Sequence, residues 1–151
     1  MINGISHVGI CVTSLDRAIQ FYELAFKMAL VVRGSFSGRH YQAILGIEGA
    51  AGQAALLRKG SLELELFEFS HPRKLPGPID RAVCEYGISH FCVEVTDIDV
   101  EYERLKLLGV RFHCAPITFE GVARATYGRD PDGNVFELLE HREKAGERTI
   151  A

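Results

Sequence analysis

The sequence predicts an α+β protein built from two copies of one module, each running strand, helix and then three strands. Similar segments recur in both halves of the 151-residue chain: Ile-Ser-His-Val-Gly-Ile at residues 5–10 and Ile-Ser-His-Phe-Cys-Val at residues 88–93. After each of these segments, apolar residues recur every three or four positions, and β-rich segments follow. Neither half can bury its sheet alone, so we expect two curved sheets that form one eight-stranded cup with the helices outside.

A helix with a defined start follows each opening strand. Ser14 and Asp97 stand where the helices should begin, and their short side chains can accept hydrogen bonds from free amides of the first turn. Gly109 is placed to end the second helix. The apolar residues at helical spacing are Leu15, Ala18, Ile19, Tyr22 and Phe26 in the first helix, and Ile98, Tyr102, Leu105 and Leu108 in the second.

The β-rich segments and the connectors divide the chain into four parts. We expect a first module at residues 1–70, a proline-rich linker at 71–86, a second module at 87–142 and a charged, mobile tail at 143–151. The predicted strands after the helices cover residues 30–33, 41–45 and 62–69 in the first module, and 111–114, 123–127 and 134–140 in the second.

Composition and charge exclude several classes of function. The net charge is −3 without a basic block, which argues against a nucleic-acid partner. No segment is apolar enough to cross a bilayer, and the start lacks the pattern of a signal peptide. The four cysteines form no CxxC motif, which is typical of reduced thiols in a cytoplasmic protein. We therefore expect a cytoplasmic protein that acts on a small-molecule substrate, with no membrane partner.

Each module carries one histidine and one glutamate at matching positions. His7 and His90 lie on the opening strands, and Glu65 and Glu137 lie on the closing strands. Apolar residues alternate with them, so strand parity places all four opposite the helix-facing side of the sheets. Two imidazoles and two carboxylates suit one divalent metal ion, with zinc as first choice and nickel, cobalt, manganese or iron as alternatives. Glu63 shares the parity of Glu65 and is the rival ligand.

The repeated module resembles the vicinal oxygen chelate superfamily, which includes glyoxalase I, methylmalonyl-CoA epimerase, extradiol dioxygenases and the fosfomycin and bleomycin resistance proteins. Carried over position by position, the family's metal ligands fall on His7, Glu65, His90 and Glu137, a set most similar to that of bacterial-type glyoxalase I. The matching motifs are Ile-Ser-His-Val at 5–8, Asp-Arg-Ala-Ile-Gln-Phe-Tyr at 16–22, Leu-Glu-Leu-Phe at 64–67, Gly-Ile-Ser-His at 87–90 and Asp-Pro-Asp-Gly-Asn-Val-Phe-Glu at 130–137.

Three positions depart from individual members of that family. Bacterial glyoxalase I places an arginine and an asparagine that help hold glutathione where this chain has Cys11 and Phe69. This difference argues against glutathione substrates. Acyl-CoA epimerases carry a second catalytic carboxylate on a strand of the first module, where this chain offers Gln42. A two-base reaction would then use Glu65 and Glu137 themselves.

The resemblance implies a metal-dependent isomerase, epimerase or glyoxalase-like lyase that transfers a proton next to a carbonyl of a small chelating substrate. Glu137 is the predicted catalytic base, with Glu65 as its partner on the opposite side. Arg124 and Arg33 are candidates to bind an anionic substrate, and Tyr127 is a candidate hydrogen-bond donor.

Two alternative functions and one assembly question stay open at this point. The alternatives are an iron(II) extradiol-type dioxygenase and a non-catalytic ligand-binding protein of the resistance type. A homodimer is expected, because the family usually covers its open sheet edges by pairing. Whether one site draws ligands from both subunits is open.

Overall fold

The computed structural model of the chain describes residues 1–73 and 77–142. These residues form nine strands and three helices. The chain divides into two compact units, Met1–Gly77 and Pro78–Ala151, and the boundary falls inside the predicted linker at 71–86. The predicted tail at 143–151 lies outside the described residues. In the part of the chain that is described, no helix has the length and apolar character needed to span a membrane.

The first unit consists of a four-stranded sheet and two helices. Its strands are arranged in the order β1-β4-β3-β2, with β1 parallel to β4 and the other neighbours antiparallel. This is the predicted strand-helix-three-strand module with one additional short helix. In chain order its elements are β1 (Val8–Cys11), α1 (Leu15–Phe26), β2 (Ala29–Phe36), α2 (Arg39–Leu45), β3 (Ala51–Lys59) and β4 (Leu62–His71).

The second unit repeats this topology with the order β5-β9-β8-β6, and β5 is parallel to β9. Two short strands, β6 and β7, pair with opposite ends of β8 and together replace a single edge strand. The tandem modules are thus confirmed, with nine strands where eight were predicted. The elements are β5 (Phe91–Glu94), α3 (Ile98–Leu107), β6 (Arg111–Phe112), β7 (Ile117–Phe119), β8 (Ala123–Arg129) and β9 (Val135–His141).

Each sheet packs one face against the long helix of its own unit. On β4 the fully buried Leu64 and Leu66 alternate with Glu65, and on β9 the fully buried Phe136 and Leu138 alternate with Glu137. Because successive side chains point to opposite faces, both glutamates lie on the face away from the helix. We call this face of each sheet its open face. The helix residues that are also fully buried include Leu15 and Tyr22 of α1 and Ile98 and Leu105 of α3.

The predicted N-cap is confirmed for the first helix and is wrong for the second. The Ser14 side chain accepts a hydrogen bond from the amide of Arg17 at 3.4 Å. Asp97 precedes α3 in a left-handed conformation, with φ of 56°, and its side chain makes no capping hydrogen bond. The end of α3 is as predicted, since the helix stops at Leu107 and Gly109 follows.

A glutamate from the last strand caps the long helix in both modules. The amide of Leu15 donates to Glu68 at 2.7 Å, and the amide of Ile98 donates to Glu140 at 3.2 Å. A carboxylate is favourable there, because the free amides and the dipole give a helix N-terminus a partial positive charge. The helix start is therefore tied to the closing strand of the same module.

The predicted strand at residues 41–45 is wrong, because this segment forms α2. Gly38 and Gly46 bound the helix with φ of 86° and 65°, backbone conformations that glycine adopts at little cost. The strand that was missed is β3, Ala51–Lys59. Its sequence is rich in alanine and contains no β-branched residue, so its strand propensity is weak. Tertiary pairing between β2 and β4 is what makes it a strand.

We expect Glu68→Ala to lower the free energy of unfolding by about 1 kcal/mol, because the first turn of α1 loses its acceptor. Urea denaturation of the purified variant measures this effect. Glu120→Ala, in the exposed turn between β7 and β8, is the matched control and should change the stability by less than about 0.5 kcal/mol. Equal losses in the two variants would contradict a capping role for Glu68.

Candidate functional site

A histidine and a glutamate lie side by side on the open face of the first sheet. His7 directly precedes β1, and Glu65 lies on β4 opposite Gly9. The distance between Nε2 of His7 and Oε2 of Glu65 is 3.1 Å. Their side chains are 42% and 32% exposed, so a ligand from solvent can reach both. The parallel pairing of β1 with β4 brings together these two residues, which are far apart in sequence.

The second sheet repeats this pair. His90 directly precedes β5, and Glu137 lies on β9 opposite Cys92. The distance between Nε2 of His90 and Oε2 of Glu137 is 3.2 Å. These side chains are 25% and 18% exposed, so the second pair is the more buried.

The donor spacing within each pair fits two neighbouring ligands of one metal ion. Metal–ligand bonds of about 2.1 Å at tetrahedral or octahedral angles leave roughly 3.0–3.4 Å between adjacent donor atoms. Both observed separations fall in this range. Over residues 1–73 and 77–142, no three or more His, Cys, Asp or Glu side chains gather as a possible metal site. Each unit brings together two of the four predicted ligands, one histidine and one glutamate.

A serine contacts the other ring nitrogen of each histidine. Ser6 Oγ is 3.2 Å from Nδ1 of His7, and Ser89 Oγ is 2.8 Å from Nδ1 of His90. In both cases Nε2 is the nitrogen that faces the glutamate. Outer hydrogen bonds of this kind orient imidazoles that bind metals. No role was predicted for these serines, although the Ser-His dipeptide occurs at the same position in both modules.

Two cysteines lie on the open faces close to these pairs. Burial, and then the charge of Glu137 and a hydrogen bond to it, raise the pKa of Cys92 to about 12. The thiol of Cys92 is therefore protonated at neutral pH and donates to the Glu137 carboxylate. Burial also raises the pKa of Cys11, which lies opposite Phe67.

Among the predicted substrate-binding residues, Tyr127 lies beside the second pair. It is opposite Glu137 in the β8–β9 register, and its ring centroid is 4.8 Å from that of His90. Burial raises the pKa of Tyr127, and the charges of Glu137 and Cys92 raise it further. The phenol therefore keeps its proton at neutral pH and can donate a hydrogen bond.

Arg124 and Arg33 lie on the helix-covered faces, so the structure does not bring them to the two pairs. Arg124 donates to both carboxylate oxygens of Asp99 at 2.6 and 2.8 Å, and Arg33 donates to Asp16 at 2.6 Å. Arg124 is three residues before Tyr127 on one strand, and an odd spacing places two side chains on opposite faces. The prediction that these arginines line the substrate site is therefore corrected.

The structure adds His113 to the surroundings of Tyr127. The two ring centroids are 6.1 Å apart, and Nε of Arg129 donates to Nε2 of His113 at 3.1 Å. Burial, and then the charge of Arg129, lower the pKa of His113. No repeated partner in the first module marked this residue in the sequence.

A family model and a known protein match most of this chain. The family model described as "Glyoxalase/Bleomycin resistance protein/Dioxygenase superfamily" matches residues 4–138. The metallothiol transferase FosB of Shouchella clausii (strain KSM-K16) is 27% identical over 143 residues, which cover 91% of this chain and 80% of FosB.

Solved structures show the same fold. A glyoxalase family protein from Bacillus cereus superposes with a TM-score of 0.85 and 25% identity, over 93% of this chain and 95% of that protein. The fosfomycin resistance protein FosX of Listeria monocytogenes, in complex with Mn(II) and sulfate, gives a TM-score of 0.63 and 20% identity, over 96% and 94% of the two chains. At that identity the FosX similarity shows the fold alone. With the family model covering both modules, the chain belongs to the glyoxalase/bleomycin resistance/dioxygenase superfamily, the vicinal oxygen chelate superfamily.

Proposed function

We propose that this protein is a metal-dependent enzyme that transfers a proton next to a carbonyl of a small substrate with two neighbouring oxygens. The observation that carries the proposal is the His–Glu pair, which recurs in both modules with donor separations of 3.1 and 3.2 Å. In this proposal His7, Glu65, His90 and Glu137 hold one divalent ion per chain. When bound, the ion supplies a Lewis acid that stabilises negative charge on the substrate oxygens.

The donor chemistry is compatible with several ions. Two imidazole nitrogens and two carboxylate oxygens suit zinc, nickel, cobalt, manganese or iron. The Mn(II) in the FosX structure and the name metallothiol transferase of FosB support a divalent metal in this family. Zinc remains our first choice for this chain, because zinc binds both imidazole nitrogen and carboxylate oxygen.

Glu137 is the residue we propose as the catalytic base. The Glu137 carboxylate is less exposed than that of Glu65, and it contacts both His90 and the thiol of Cys92. Tyr127 lies opposite and can donate a hydrogen bond to a substrate oxygen that becomes negative. Glu65, the equivalent residue of the first module, is the proposed partner that returns or accepts the proton. With Arg33 and Arg124 occupied elsewhere, Tyr127 takes over part of the charge stabilisation that the arginines were expected to provide.

The relationship to FosB favours a second candidate function, metal-dependent transfer of a thiol. It rests on 27% identity over 91% of the chain. Such a reaction consumes a thiol and moves no proton on a carbon next to a carbonyl. An extradiol-type dioxygenase would instead place oxygen from O₂ in its product. A purely ligand-binding protein would show none of these reactions.

We expect each of His7→Ala, Glu65→Ala, His90→Ala and Glu137→Ala to reduce bound metal from one ion per chain to well below half. Each change removes one of the four proposed donors. The partner residue on the paired strand then loses the second donor with which it would hold the ion. Metal analysis after dialysis measures the content, and circular dichroism checks that the fold is intact. Glu63→Ala is the matched control, since Glu63 pairs with Arg58 and should not be needed for metal. Full occupancy in Glu65→Ala would favour Glu63 as the ligand.

The proton-transfer reaction predicts exchange of a substrate hydrogen with solvent. We expect the metal-loaded protein to exchange the hydrogen next to the carbonyl in D₂O for at least one member of a panel of hydroxyketones, hydroxyacids and hemithioacetals, followed by proton NMR. Glu137→Gln should slow this exchange by about 100-fold or more, because the base is lost.

Three outcomes, from this experiment and from assays of thiol consumption and of O₂ incorporation, would count against the proposal. Exchange that persists in Glu137→Gln would exclude this residue as the base. Consumption of a thiol without exchange would favour the FosB-like function. Product that carries oxygen from O₂ would favour the dioxygenase.

The homodimer and the cytoplasmic location remain predictions. β2 is an edge strand of the first sheet, and three consecutive apolar residues of this strand, Leu30, Val31 and Val32, are exposed. An apolar sheet edge of this kind favours pairing with another chain. Light scattering at micromolar concentration distinguishes a dimer from a monomer.

A further inference from the structure

Four aromatic side chains form a cluster on the open face of the first sheet. Phe36 is at its centre, and its ring centroid is 5.5 Å from Tyr41, 5.8 Å from Phe67 and 5.2 Å from Phe69. Phe67 and Phe69 stack with centroids 6.0 Å apart. We call Phe36, Tyr41, Phe67 and Phe69 the aromatic cluster.

The aromatic cluster adjoins the His7–Glu65 pair. Glu65, Phe67 and Phe69 alternate along β4 and share its open face. The Phe67 ring leans over Gly9, because a β-carbon at this glycine would lie 3.6 Å from Cε2 of Phe67. Gly9 is opposite Glu65 and two residues after His7. The first ring of the cluster is thus next to both donors of the pair.

A second glycine lets the cluster lie against the sheet. A β-carbon at Gly52 would collide with the backbone oxygen of Glu68 and would approach Cζ of Phe36 to 2.8 Å, so the strand pairing and the Phe36 ring both require a glycine here. Phe36 is therefore buried in the base of the cluster, while Phe67 and Phe69 are half-buried. Tyr41 of α2 is 45% exposed and forms its outer wall. The cluster presents aromatic ring surface that a ligand can still cover.

The strands beside this pair carry little positive charge on their open face. Among the described residues of β1 to β4, Arg58 is the one arginine or lysine on the open face, and it is paired with Glu63. Glu63 lies on the other side of Glu65 from Phe67. An anionic substituent placed on the cluster would meet no arginine or lysine of these strands other than Arg58, and the loss of its hydration is costly. An apolar group placed there would gain from burial.

We propose that the aromatic cluster is a subsite for an aryl or branched-alkyl group, carried by the substrate next to its two chelating oxygens. This substrate class rests on the proposed function, which supplies the chelating end. The aromatic cluster belongs to the first unit and contains none of the proposed metal ligands. Its binding of an apolar group can therefore be tested without metal.

The first test uses 4-fluorobenzyl alcohol, an apolar aromatic probe that needs no metal, with the metal-free protein. Fluorine NMR should show saturable line broadening with the wild type. Tyr41→Ala and Phe69→Ala should weaken binding at least fivefold. Tyr41 is a surface residue, so its replacement leaves the fold intact. Tyr86→Ala, which removes a fully exposed tyrosine of the second unit, is the matched control and should bind as the wild type does.

The second test compares mandelate with lactate, which share the hydroxyacid end and differ in a phenyl or methyl group. Calorimetry with the Zn-loaded protein should show mandelate binding at least tenfold more tightly, and Tyr41→Ala should reduce this ratio to less than threefold.

The outcomes separate the subsite from the proposed function. Equal affinities for mandelate and lactate, or probe binding that the cluster variants leave unchanged, would overturn the subsite. If neither acid requires metal for binding, the chelating function fails, and the fluorine experiment still decides whether the cluster binds an aromatic group.

Discussion

The parallel pairing of the first and last strands of each module is the constraint on which the rest of this protein depends. It sets Gly9 opposite Glu65 and Cys92 opposite Glu137. The histidine that precedes each first strand is then held beside the glutamate of the last strand. No local motif could bring these residues together, since more than forty positions separate them. The strand pairing therefore converts a sequence repeat into a His–Glu pair that occurs once in each module.

The three-residue spacing between two glutamates of each closing strand divides their roles. Glu65 and Glu137 face the open side and pair with histidines, whereas Glu68 and Glu140 face the helix and accept hydrogen bonds from its first amide. An odd spacing on a strand makes this division unavoidable. The same strand that carries a proposed functional carboxylate thus anchors the helix of its module, so the site and the fold are stabilised together.

Features that repeat in the sequence were predictable, and features without a repeated counterpart were not. The modules, the long helices and the positions of the two His–Glu pairs follow from motifs that occur twice. Helix α2 and strand β3 were missed, because alanine and glycine give β3 little intrinsic preference and its neighbours impose the strand. The three-residue spacing of Arg124 and Tyr127 on one strand already implies opposite faces, whereas the face of Arg33 depends on the irregular register of β2 against β3. Tyr127 could be placed only after its register against Glu137 was known.

The central claim is that the two pairs act together as the ligands of one ion. X-ray absorption spectroscopy of the protein loaded with one equivalent of zinc tests this claim most directly, because it counts the imidazole and sulfur ligands around the metal. The account predicts two imidazoles with oxygen donors in the remaining positions and no sulfur, since each pair consists of one histidine and one carboxylate. A spectrum with one imidazole per zinc, or with a zinc–sulfur distance near ~2.3 Å, would contradict it.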